Sequence, residues 1–283
     1  MKFFNFYQET QIHLGAVENG RAIDVTASKG TGPKTMQELI CGGSAAQKEI
    51  QALFAAINTP AAPEDLVFAP PVTRPEKILC IGLNYADHSA ETHMELPDSP
   101  TVFSKFANAL AAHEQAIPLP KTASQYDYEA ELVIILGKKA HHLKKENALS
   151  AIFGYTIGND LSARDLQQRT SQWLLGKTPD KFAPLGPYIV PAGEIDPANL
   201  HIQSYVNGKI RQDSHTSKMI FDCAYIVSYL SQYMTLQPGD IIFTGTPSGV
   251  ILGYPPEKQI WLKAGDEVRI KIEKIGELTN RLM

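Results

Sequence analysis

The segment Tyr128-Glu129-Ala130-Glu131-Leu132-Val133-Ile134-Ile135-Leu136-Gly137 sets two acids, one residue apart, at the head of a strongly apolar run. In a β-strand successive side chains alternate faces, so Glu129 and Glu131 point to the same side. Two carboxylates beside a hydrophobic strand are costly to bury unless something positive lies between them. A third acid, Asp160, closes another apolar segment at Gly158-Asn159-Asp160. Three carboxylates suit a hard, oxygen-preferring cation such as Mg²⁺, and they leave positions open for water and a chelating substrate. Zinc fits less well, because no histidine joins the set. The spacing predicts a metal-dependent enzyme.

Other residues could act beside such a centre. His88 and Glu91 lie three apart, hence on one side of a helical turn. A carboxylate holding an imidazole fixes its tautomer and raises its basicity, which would make a general base for water. His93 is an alternative base. Lys105, Arg164, Gln167 and Lys177 are candidates for anion recognition. Arg164 and Gln167 share a helical face just after Asp160, and Gly176 gives Lys177 freedom to reach a pocket. The turn Thr244-Gly245-Thr246-Pro247-Ser248-Gly249-Val250 lacks the Gly-Lys-Ser/Thr end of a phosphate loop and the Gly-x-Ser-x-Gly elbow of serine hydrolases. It can instead offer the Thr246 hydroxyl and backbone N–H groups to a carboxylate.

These groups need elements to carry them. Residues 3–7, 11–17 and 21–25 read as short strands, with a hairpin turn at Glu18-Asn19-Gly20. Ser44 to Ile57 reads as a helix with Ser44 as N-cap and Ile50, Leu53, Phe54 and Ile57 on one side. Pro60, Pro63, Pro70, Pro71 and Pro75 then exclude helix. The boundary is placed near residue 70, giving a small accessory domain (1–70) and a catalytic domain (71–283). Strands are expected from Lys77 to Gly82 and at 101–106, 131–136, 153–158, 186–190, 201–206, 241–244 and 267–273. Asn207-Gly208 joins 201–206 to 209–213 as a hairpin. Residues 83–91 read as a loop with one helical turn, leading into a polar, lid-like stretch. Helices are expected over Ser162–Trp173 and Ser217–Met234. Many short strands with few crossover helices predict a β-rich α+β body and argue against a doubly wound sheet.

Bulk properties narrow the setting. The 283 residues are 43% hydrophobic and 20% charged, enough for a substantial core. A formal net charge of -4 gives no support for nucleic-acid binding. Cys41, Cys80 and Cys223 are sparse, odd in number and without zinc-ligand spacing, which points to reduced thiols in the cytoplasm. The N-terminal Met1-Lys2-Phe3-Phe4-Asn5-Phe6 reaches polar residues too soon for a signal peptide, and no later segment has the continuity of a membrane span.

Taken together, the ordered motifs resemble the fumarylacetoacetate hydrolase superfamily from about residue 75 onward. They are Ile81-Gly82-Leu83-Asn84-Tyr85-Ala86-Asp87-His88, Tyr128-Glu129-Ala130-Glu131-Leu132 and Asn159-Asp160-Leu161-Ser162-Ala163-Arg164-Asp165. Phe182-Ala183-Pro184-Leu185-Gly186-Pro187, Val206-Asn207-Gly208, Pro238-Gly239-Asp240 and Gly245-Thr246-Pro247-Ser248-Gly249-Val250 continue the series. The resemblance implies a mixed β-roll or β-sandwich catalytic domain, packed as a homodimer. It assigns Glu129, Glu131 and Asp160 to Mg²⁺ or Mn²⁺, His88 and Glu91 to a water-activating dyad on a lid, and Lys177 to charge stabilisation. Arg164, Gln167 and Thr246 match positions near the substrate's carboxylate and oxo end. The implied reaction is hydrolysis of the C3–C4 bond of 2,4-dioxo acids (acylpyruvates) through a pyruvate enolate. The alternative is an oxaloacetate decarboxylase or tautomerase, or a decarboxylase/isomerase of 2-oxo acids from aromatic catabolism.

Overall fold

The structure is a computed structural model that describes residues 1–56, 61–62, 65–91 and 98–283, the side chains of residues 88–90 excepted. Its spine is a mixed sheet. Edge to edge the strands are Arg21–Asp24, Gln11–Glu18, Lys2–Gln8, Tyr188–Pro191, Ile152–Asn159, Ala130–Leu136, Ile241–Phe243, Ile78–Gly82 and Thr101–Lys105. A second, antiparallel sheet orders Lys209–His215, His201–Val206, Glu267–Ile272 and Gly276–Arg281. This is the β-rich α+β fold expected from the sequence, with a small N-terminal β-domain. Its first strand pairs with Tyr188–Pro191 through Phe3 opposite Ile189.

Every residue of Ala130–Leu136 is buried, as its unbroken apolar run predicts for a strand covered on both faces. Leu132, Ile134 and Leu136 pack towards Ile226 and Leu230 of the helix Cys223–Tyr233 and towards Ile202 and Ile270 of the second sheet. Val133 and Ile135 pack on the other side with Leu39 and Ile40 of the N-terminal helix. Antiparallel pairing sets Ala130 opposite Asn159 and Glu131 opposite Gly158. The Asp160 N–H, next along, donates to the Glu129 carbonyl at 3.0 Å. Directly opposed residues share a face, so strand register alone gathers Glu129, Glu131 and Asp160 at one end of the sheet.

Strand positions agree with expectation to within two or three residues, whereas the helices differ more. The N-terminal helix spans Met36–Ala55, not Ser44 onward; Thr35 caps it in a reciprocal capping box with Glu38. Gly43, at φ 54°, kinks the helix rather than ending it, and Ile57 lies outside the described residues. The expected helix Ser162–Trp173 is broken. Ser162–Ala163 pairs with Tyr126–Asp127, and two single turns follow, Arg164–Gln167 and Leu174–Lys177. The last long helix begins at Cys223, capped by Asp222, because Asn84 holds the preceding backbone. The Asn84 side chain accepts from the Phe221 N–H at 2.7 Å and donates to the Phe221 and Thr244 carbonyls. The helical turn expected within 83–91 is Ala86–Glu91.

Gly158 is forced by packing: a Cβ there would stand 2.4 Å from Phe243 Cε1 and 2.5 Å from Val133 Cγ2. Gly158→Ala is expected to cost about 1–3 kcal/mol through overpacking, read as a lowered denaturant midpoint at unchanged slope. An unchanged midpoint would show that this close approach carries no strain.

Candidate active site

One ligand oxygen from each of Glu129, Glu131 and Asp160 lies within 4.8 Å of the others, and all three residues are buried. A cation with metal–oxygen distances of about 2.1–2.4 Å spans about 4.2–4.8 Å across its coordination sphere, so one ion can engage all three. Around them stand three buried cations. Lys177 Nζ bridges Glu129 Oε2 at 2.6 Å and Asp160 Oδ2 at 2.8 Å. Arg164 Nη2 lies 2.7 Å from Glu129 Oε1, and Lys105 Nζ lies 2.6 Å from Asp160 Oδ1.

The charges do not balance without a further cation. Asp127, Glu129, Glu131 and Asp160 are four buried carboxylates against Lys105, Arg164 and Lys177. Glu131 is the odd one: among the described residues it has no ion-pair partner, and its Oε2 accepts only the Gly245 N–H, at 2.6 Å. Burial, reinforced by Asp160 and Glu129, pushes its pKa well above the ordinary 4.5. Such a group takes up either a proton or a metal ion. An all-oxygen donor set with one uncompensated carboxylate fits a hard divalent cation, and the site can coordinate one.

The cations respond to the same field. Burial opposes the Lys177 ammonium, but Asp160 and Glu129 outweigh it, so its pKa is raised above the usual lysine value. For Lys105 burial wins over Asp160, and its pKa is lowered. Arg164 is raised, with Glu129 and Asp127 overcoming the cost of burial.

A cavity of about 40 Å³ opens over this cluster, with Glu129, Glu131, Arg164, Gln167, Lys177 and Thr246 on its polar side. Gln167 and Lys177 meet there because the two short turns press together at Gly176. A Cβ on that glycine would lie 2.5 Å from the Gln167 nitrogen and 2.6 Å from the Ala163 carbonyl oxygen. Close approach, rather than flexibility, is what the glycine provides. Thr246 lines the cavity with its hydroxyl already engaged, donating to the Ala130 carbonyl and accepting from Gln212 Nε2. Lys105 stands behind Asp160, with its remaining N–H groups on the Leu161 and Phe182 carbonyls; it is not on the cavity wall. Glu91 belongs to the helix Ala86–Glu91, where its carboxylate accepts the Gly249 N–H at 2.9–3.0 Å. The His88 side chain and the whole of His93 lie outside the described residues.

Sequence reasoning missed Asp127. It accepts Arg164 Nε at 2.9 Å and the backbone N–H groups of Tyr128, Ile251 and Leu252 at 2.8–3.0 Å. It thereby fixes the guanidinium that grips Glu129. The signal was present: Asp127, Glu129 and Glu131 continue one period-two alternation.

A buried three-carboxylate centre, lined by cations that can receive an anion, defines a metal-dependent enzyme acting on a small organic acid. Residues 77–283 match the family model for the fumarylacetoacetate (FAA) hydrolase C-terminal region, and the chain belongs to the fumarylacetoacetate hydrolase superfamily. Its metal-dependent chemistry cleaves or isomerises small 2-oxo acids. The chain is 41% identical over 278 residues to the Bos taurus protein named oxaloacetate tautomerase FAHD2A, mitochondrial, covering 96% of this chain and 87% of that one. It is 42% identical over 287 residues to the Dictyostelium discoideum fumarylacetoacetate hydrolase domain-containing protein 2 homolog, covering 97% and 93%. The solved fumarylacetoacetate hydrolase of Exiguobacterium antarcticum superimposes with a TM-score of 0.88 at 35% identity, covering 100% of this chain and 99% of that one. The cytoplasmic setting expected from the cysteines is overturned by such relatives, since the bovine, rat and human proteins are named as mitochondrial. Unpaired thiols argue only against strongly oxidising compartments and do not separate one reducing compartment from another.

Two outcomes test the electrostatics. Glu131→Gln is expected to weaken Mn²⁺ binding at least about 100-fold, more than the loss of an outer-shell partner, as measured by calorimetry; undiminished affinity would remove Glu131 from the ligand set. In the metal-free protein the raised Glu131 pKa favours the folded state most below the ordinary carboxylate range. That contribution is lost as pH rises through the raised value. The stabilisation gained on adding Mn²⁺ should therefore grow with pH in thermal melts, and a gain independent of pH would contradict the assignment.

Proposed function

We propose that the protein interconverts the keto and enol forms of oxaloacetate, with Mg²⁺ or Mn²⁺ held by Glu129, Glu131 and Asp160. The observation that carries this reading is Lys177, a buried ammonium on the cavity wall in contact with two of the three carboxylates. It occurs in a chain similar along nearly its whole length to proteins named as oxaloacetate tautomerases. A divalent ion bound there would supply the Lewis acidity that makes the C3–H of a 2-oxo acid acidic.

The chain's own residues provide the rest. Keto–enol exchange moves one proton between C3 and the C2 oxygen; no water adds and no carbon–carbon bond breaks. One proton carrier beside the oxo group is enough. Asp160 and Glu129 keep Lys177 Nζ protonated, so it would serve as the acid, giving a proton to C3 of the enol and taking back the one released by the C2 hydroxyl. Arg164 holds Glu129 in place, while Gln167, whose Oε1 accepts Arg164 Nη1 at 2.9 Å, turns its amide N–H groups to the substrate carboxylate. This reading replaces C3–C4 hydrolysis as the principal one. Hydrolysis remains the second reading, favoured by Glu91: its carboxylate is anchored through Gly249 to the loop whose Leu252 lines the cavity, and His88 shares its helix. Homodimerisation belongs to the same proposal and is read by sedimentation.

The experiment follows ultraviolet loss of enol-oxaloacetate with added Mn²⁺, together with assays for pyruvate from oxaloacetate and from acylpyruvates. Accelerated enol–keto exchange without pyruvate is expected. Pyruvate and a carboxylic acid from acylpyruvates, with no faster exchange, would overturn the proposal in favour of hydrolysis. Lys177→Met is expected to lower kcat about 10²–10⁴-fold while retaining Mn²⁺ binding, because the lost group is itself a cation; an unchanged kcat would exclude Lys177 as proton carrier.

A further inference from the structure

We infer that Trp173 sets the length of acid the cavity accepts, limiting it to compact four-carbon 2-oxo diacids. The inference rests on the reading of the site as a 2-oxo acid isomerase. The cavity lining is of two kinds. Besides the carboxylates and cations, its lining includes the apolar group Gly82, Leu83, Phe103, Trp173 and Leu252.

Trp173 is held more tightly than an ordinary rim residue. A Cβ on Gly82 would lie 2.7 Å from its Cζ3 and 3.1 Å from its Cη2, so the indole rests directly on the end of the strand Ile78–Gly82. Phe103, from the adjacent strand, meets it edge to face with ring centroids 5.3 Å apart. The Lys177 ammonium stands 5.0 Å from the centroid of that same Phe103 ring. The backbone completes the frame: the Gly176 and Lys177 N–H groups donate to the Trp173 carbonyl at 3.0 and 3.2 Å. One turn thus carries both the indole and the reactive amine, and Phe103 spaces them. An acid whose oxo end lies at the carboxylate centre must run its other end past Gln167 towards this apolar group. Trp173 is the bulkiest side chain of that lining, so each methylene beyond a four-carbon diacid brings the tail of a longer ring-cleavage product against the indole.

The test reads binding, so that it stands apart from turnover. Calorimetry with Mn²⁺ present compares oxalate, which occupies only the oxo end, with the six-carbon 2-oxoadipate, in the wild type, Trp173→Ala and Trp173→Phe. Trp173→Ala should keep oxalate affinity within about threefold and gain at least about tenfold for 2-oxoadipate, the scale on which a pocket discriminates methylenes. Trp173→Phe, which keeps a ring against Phe103, should fall between. An unchanged 2-oxoadipate-to-oxalate ratio in both variants overturns the inference. So does loss of oxalate binding in both, which would make Trp173 a prop of the site instead of a limit. Failure of the isomerase reading would look different: oxalate bound normally by the wild type, with no exchange of oxaloacetate.

Discussion

Four carboxylates confined to one buried corner of a sheet are the constraint around which this structure is arranged. Like charges at such separations in a poorly solvated site repel strongly, yet strand register forces Glu129, Glu131 and Asp160 together. Three long cationic side chains converge from separate places to meet them: Lys105 from the edge strand, and Arg164 and Lys177 from two successive helical turns. Each cation is placed by a local feature that would otherwise look incidental. The close packing at Gly176 directs Lys177, Asp127 aims Arg164, and two backbone carbonyls hold Lys105. Glu131 alone is left for an ion from outside.

Asp127 extends this arrangement beyond the corner. Its oxygens take the N–H groups of Ile251 and Leu252, whose loop in turn supplies the Gly249 N–H to Glu91. A continuous set of hydrogen bonds therefore runs from the helix Ala86–Glu91 through the loop to Arg164 and Glu129. Gly249 is required along it, because at φ 105° a Cβ would meet the Arg211 carbonyl oxygen at 2.3 Å; a Cβ on Gly253 would push on the Glu91 carboxylate, whose carbon lies 2.4 Å away. The helix bearing the expected water-activating pair and the carboxylate centre are thus parts of one bonded network.

Much of this was legible in the sequence where physics is local. The alternation of Glu129 and Glu131 and the apolar run behind them gave the strand and the shared face, and Asn207-Gly208 marked its hairpin, with both residues at positive φ. What sequence could not supply was tertiary. Lys105 looks like any anion-binding lysine until the fold turns all its N–H groups inward. Thr246 offers a hydroxyl on paper, but Gln212, from the second sheet, and the Ala130 carbonyl occupy it. The adjacent Gly42-Gly43 pair concealed the part of the N-terminal helix that precedes Ser44, since a kink and a terminus share one composition. The expected helix after Ser162 gave way because Ser162–Ala163 pairs with Tyr126–Asp127 and the two short turns that follow meet at Gly176. Reaction choice lay further off: hydrolysis and proton transfer call on the same ligands, and the likeness to tautomerases, rather than any motif, tips the balance.

The internal cations carry one more implication. The internal compensation sets this corner apart: because Lys105, Arg164 and Lys177 already neutralise most of the buried acid, and Glu131 can shelter a proton, much of the electrostatic cost is met by the polypeptide itself, unlike small zinc domains whose folding energy is the metal's.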